Sequence, residues 1–157
     1  MRHCLITCSA ILFGTPLLAQ SATDQVFAPD PSCFSRSYDA AHLAAHPDQQ
    51  VTLIVVRADT EDMGLDATDD LLVLVDVLTR TSKTAFSGIG YCTPVKAGLD
   101  CLMEGDAGGF TLSDQDGRLR LDVGTNGLSF EGDADFLTLE PNSGDDRVFL
   151  LDAGICG

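Results

Sequence analysis

The stretch Gly108-Gly109-Phe110-Thr111-Leu112-Ser113-Asp114-Gln115-Asp116-Gly117-Arg118-Leu119-Arg120-Leu121-Asp122-Val123 decides the fold. Leu119, Leu121 and Val123 alternate with Arg118, Arg120 and Asp122, the two-residue period of a strand with one wet face. Phe110 and Leu112 alternate the same way before it. Asp116-Gly117, between the two segments, has the chemistry of a tight hairpin turn. Outward from this hairpin the pattern repeats at Leu128 and Phe130, Leu137 and Leu139, and Val148 and Leu150. Asn126-Gly127, Gly132-Asp133 and Ser143-Gly144 read as turns between them. Turns spaced by roughly 8–12 residues predict an all-β, mainly antiparallel domain, a barrel or sandwich of about eight strands. Val51 to Val56 and Leu71 to Leu78 are apolar on both faces apart from Thr52 and Asp76, which predicts strands covered on both sides.

Only Tyr38 to His46 reads as a helix. Ser37 or Asp39 can cap it, Ala40, Ala41, Ala44 and Ala45 favour it, and Pro47 follows its end. So short a helix needs packing to persist, which predicts a lid with Leu43 and the alanines turned inward.

Residues 1–19 have the form of a secretory signal peptide. Arg2 and His3 give a basic start, Leu5 to Phe13 an apolar stretch, and Leu17-Leu18-Ala19 a small residue at the cleavage position. Residues 20–32 read as an extended leader, and residues 33–157 as a single disulfide-stapled β domain. The expected location is the periplasm or the exterior, with no membrane span after signal removal, since no later apolar run reaches the roughly 18 residues required.

The chain carries 9 Lys+Arg against 24 Asp+Glu, a formal charge of −15, and 20 of the acids are Asp. Asp belongs to turns and caps rather than helix interiors, in keeping with a β domain. The charge argues against nucleic acid and anionic lipid as partners. The expected partner is an unidentified protein or small ligand, with a basic one favoured.

Cys4 and Cys8 fall in the signal, leaving Cys33, Cys92, Cys101 and Cys156. Pro94 and Gly98 suggest that the chain turns back between Cys92 and Cys101, so these two are expected to pair, and Cys33 with Cys156. No Cys-x-x-Cys spacing suggests zinc instead.

Glu104-Gly105-Asp106-Ala107 recurs as Glu131-Gly132-Asp133-Ala134, each shortly before an apolar-Thr-Leu triplet. Counting three short strands between the two copies places them at opposite ends of the sheet, as one turn solution used twice.

Chemistry-bearing residues are few. His42 and His46 share a helix face, and with Asp39 one turn back they form a candidate metal set. A C-terminal cap by His46 is the simpler use. Asp59 to Asp62, Asp114 to Gly117 and Asp133 to Asp135 crowd carboxylates into loops that could attract calcium, but none follows the EF-hand order, and solvated turns are the simpler reading. Asp76 breaks a long apolar run and calls for Arg57 or Arg80 as a partner. No nucleophile motif or phosphate loop is present, so no catalytic residue is assigned and no cofactor is expected.

Cys33-Phe34-Ser35-Arg36-Ser37-Tyr38, with His42-Leu43 and His46-Pro47-Asp48-Gln49-Gln50-Val51, resembles the first segment of small exported proteins of uncharacterised function in alphaproteobacteria. The resemblance implies a periplasmic or secreted β-rich domain and brings no activity or site with it. It directs attention to Arg36, Tyr38 and His42 as a structural cluster. The expectation is thus an exported, non-enzymatic binding or structural domain, such as an inhibitor or adaptor. The alternative is a metal-binding protein or metal-dependent hydrolase using His42, His46 and nearby Asp.

Overall fold

The computed structural model describes residues 26–27, 33–58, 71–142 and 144–154. The residues read as a signal peptide, the acidic segment from Asp59 to Asp62 and Cys156 lie outside them. Among the described residues the elements in chain order are β1 (Cys33–Ser37), α1 (Ala40–Ala45), β2 (Val51–Ala58), β3 (Leu71–Thr79), β4 (Phe86–Val95), β5 (Gly98–Met103), β6 (Gly108–Gln115), β7 (Arg118–Glu131), β8 (Phe136–Leu139) and β9 (Val148–Ala153).

Every pairing is antiparallel. The sheet runs β6-β5-β4-β3-β2-β1-β9-β7-β8, and pairing of β6 with β7 closes it into an eight-stranded barrel with β8 as an extra strand. Asp116 and Gly117 both take positive φ (56° and 79°), the backbone of a two-residue hairpin turn.

Alternation fills the barrel. Ile54 and Val56, Val73, Val75 and Val77, Leu119 and Leu121, and Phe149 and Leu151 are all inside. Phe110, Phe130 and Phe149 supply the largest fully buried rings, as expected of eight strands enclosing just enough room for side chains. Glycines on β4 make space for them. A methyl group at Gly90 would sit 2.7 Å from the Phe110 ring, and one at Gly88 would collide with the Met103 terminus. Val26 and Phe27 are buried as well, and Phe27 meets the Phe34 ring edge-on at 5.8 Å. These two residues of the expected leader are therefore part of the core.

The outer faces of β2 and β3 are less covered than the apolar runs suggest. Leu53, Val55, Leu72, Leu74 and Leu78 are half-buried, and among the described residues no second layer lies over them.

Because the strands alternate in direction, their connections sort by barrel end. The segment carrying α1, the β3–β4 loop, the β5–β6 turn and the β7–β8 turn share one end. The β4–β5 and β6–β7 turns lie at the other. Only two strands, β6 and β7, separate the two Glu-Gly-Asp-Ala turns, so they lie at the same end and not at opposite ends. The miscount comes from Asn126-Gly127, which is no hairpin turn. Gly108 faces Leu128 while Phe110 faces Val123, so the surplus residues of β7 form a bulge inside one long strand, with Gly127 at φ 79°.

Candidate functional site

The helix is shorter than expected and is held differently. Asp39 caps α1 by accepting from the His42 amide at 2.8 Å. No residue of α1 is fully buried, Leu43 is half-buried, and the four alanines face solvent. The inward-facing apolar lid is therefore not what forms. Arg80 supplies the attachment, donating from Nε to Gln49 O at 2.6 Å and from Nη2 to Leu43 O at 2.6 Å and His46 O at 2.8 Å. A guanidinium thus satisfies carbonyls left over where the helix ends.

Arg36, Tyr38, His42 and His46 form one continuous stack. The Arg36 guanidinium carbon lies 5.6 Å from the Tyr38 ring centre, Tyr38 and His42 are 4.7 Å apart, and His42 and His46 are 4.3 Å apart. Arg36 also pairs with Asp152 at 3.0 Å. His42 Nε2 shares a hydrogen bond with Gln49 Oε1 at 2.9 Å, and His46 Nδ1 lies 3.5 Å from Asp145. Burial raises the Tyr38 phenol, against the Arg36 charge. Asp146 completes the corner, accepting from the amides of Gln50 (2.6 Å) and Val51 (3.2 Å). Its carboxyl is raised because burial outweighs these two donors. With Asp39 occupied as a cap, it does not join the histidines as a third ligand. Among the described residues no group of three or more His, Cys, Asp or Glu side chains is placed to hold a metal.

Asp76 takes Arg57 as its partner, at 2.6 Å, and accepts from Ser87 Oγ at 2.6 Å on the outer wall of the barrel. Arg80, the other candidate, is committed to α1. The Cys92–Cys101 disulfide is formed between directly opposed residues of β4 and β5. Pro94 sits beyond the last β3 partner of β4, where a missing amide leaves no gap in that ladder. Cys33 is disulfide-bonded too. Its expected partner Cys156 lies outside the described residues. Gly154, two positions before it, donates its amide to Cys33 O at 3.2 Å.

The feature that sequence reasoning missed is a groove of ≈ 640 Å³ at the seam between β4 and β7. β4 leaves β5 on the N-terminal side of Gly90 and pairs with β7 only where Ser87 faces Glu131. Gly88, Met103 and Phe130 line its base, with Met103 and Phe130 themselves buried, and half-buried Leu74 and Ile89 lie along one wall. Both repeated turns line it. Glu104 and Asp106 come from the β5–β6 turn, and Glu131 and Asp133 from the β7–β8 turn. Ser129 N to Ala107 O, at 2.9 Å, ties the first turn to β7, and Gly132 N to Asp135 O, at 2.9 Å, closes the second. They are not one turn used twice, since Gly105 has φ 67° whereas Gly132 is not in the left-handed region. Phe136 stands at the rim, 74% exposed. No lining residue is Lys or Arg. The recurrence of Glu-Gly-Asp-Ala was the available signal; a correct strand count would have brought its two copies together.

Among the described residues no helix is long and apolar enough to cross a membrane. The chain matches no known protein family, no curated protein and no solved structure.

Proposed function

We propose that this chain is an exported binding domain and that the seam groove is its contact surface. The observation that carries this reading is a groove whose wall leaves Leu74 and Ile89 half-exposed beside a phenylalanine that is 74% exposed. A large aromatic ring held in water on a rigid barrel gains nothing for the fold, whereas burying it against a partner is favourable. The walls are strands and short turns, so little ordering cost is added on binding. The signal-like start and the disulfides support export, in the periplasm or outside the cell.

Affinity capture from periplasmic extract, with wild-type and Phe136→Asp proteins side by side, tests the reading. Partners retained by the wild type should be lost with Phe136→Asp and kept with His42→Ala. Equal capture by both groove forms would overturn it, as would hydrolytic turnover abolished by His42→Ala or Asp76→Asn.

A further inference from the structure

Building on that binding reading, we propose that the groove's occupant is a basic segment of another protein, with an apolar side chain on the floor and a lysine or arginine among the rim carboxylates. Charge complementarity selects it. Among the described residues, Glu104, Asp106, Glu131 and Asp133 have no ion-pair partner. The cation on the adjoining wall, Arg57, is already held by Asp76. Four carboxylates that line one opening therefore lack a counter-charge among the described residues, and an entering cation is favoured there.

The same charge sorts the competitors. A second copy would bring a formal −15 and the same four carboxylates to the interface. Nucleic acid and anionic lipid are repelled likewise. A small polycation would answer the rim but leave Leu74, Ile89 and Phe136 wet. Half-buried Leu74 and Ile89 on the wall, and Phe136 at the rim, call for apolar atoms beside the positive charge. A protein segment carrying both meets the two demands together.

The oxidised protein, isotopically labelled for NMR, can be titrated with four defined probes: a dodecapeptide of Lys with Leu and Phe, one of Lys with Ser, one of Glu with Leu and Phe, and spermidine. The Lys-Leu-Phe peptide should bind most tightly and shift the Met103 methyl and Phe136 ring signals. Its affinity should fall at least about tenfold from low to half-molar salt as the charges are screened. Converting all four rim acids to Asn or Gln should weaken it by at least about tenfold as well. Equal binding of the Glu peptide or of spermidine would overturn the proposed occupant. So would affinity indifferent to salt and to the rim variant. Silent groove signals with every probe, alongside partners still lost with Phe136→Asp, would reject the basic segment while leaving the binding reading standing. Shifts confined to α1 would reject the groove itself.

Discussion

The α1 corner closes on itself, whereas the seam groove, at the same end of the barrel, faces outward with its needs unmet. At the corner, Arg80 reaches three backbone carbonyls and Asp146 accepts from two backbone amides. The histidines are stacked and bonded to neighbours. At the groove, apolar side chains and carboxylates meet solvent without partners from the described chain. The difference separates two uses of polar chemistry. One satisfies the backbone where a connection leaves the barrel; the other leaves surface for another molecule. Corner substitutions should therefore cost stability and spare binding, and rim substitutions the reverse.

The largest effect should come where the distinction fails. Phe130 is 1% exposed and serves both as groove floor and as core. Phe130→Ala should lower unfolding free energy by about 3–5 kcal/mol, measured by urea denaturation, and reduce binding with it. A loss under about 1 kcal/mol would show that the seam is not packed as part of the core.

Asp146 sharpens the corner side. Val51 is fully buried, so Asp146→Ala strands its amide and should cost about 1–3 kcal/mol in the same assay. The carboxyl is raised when folded, so the folded chain holds more protons than the unfolded one between the ordinary and the raised value. Its stabilising contribution is complete below the ordinary carboxylate range and is lost as pH rises through the folded value. Asp146→Asn should flatten that part of the stability–pH curve. An unchanged slope would assign it to other carboxylates.

Arg80→Ala comes next. Its donors are charged but partly in water, so about 1–2 kcal/mol is expected. Amide exchange should quicken across α1 and remain unchanged at β7 and β8. A uniform acceleration would mean that the corner and the seam unfold as one unit.

The barrel was legible because its signals are local. Asp116-Gly117 falls between two cleanly alternating segments and forms the tight turn they call for, and Cys92 and Cys101 oppose each other because the chain reverses between them. The site was illegible because it depends on counting. Asn-Gly supplies a positive φ equally to a hairpin and to a bulge, and only pairing with β6 shows that residues 118–131 are one strand. That single misreading moved one Glu-Gly-Asp-Ala turn to the wrong end. The need of so short a helix for packing likewise suggested an inward face, but hydrogen bonds from Arg80 anchor it instead of apolar burial. Nothing near Arg80 in sequence announces that its acceptors lie more than thirty residues away.

The smallest expected change in stability completes the comparison. Phe136 begins β8 and is 74% exposed, so Phe136→Ser removes little buried surface. Its strand is anchored by other means. Leu137 and Leu139 point into the core, and Ser129 and Thr138 share a 2.9 Å hydrogen bond across β7 and β8. The substitution should leave unfolding free energy within about 0.5 kcal/mol of wild type. Partner capture, in contrast, should be lost, because the ring is the largest apolar group offered at the rim. Denaturation and capture on the same preparation separate the two readings. A loss of more than about 1 kcal/mol would make Phe136 a packing residue, and its exposure would no longer support a contact surface. Unchanged stability with capture abolished is the pattern expected of a side chain retained for a partner rather than for the fold.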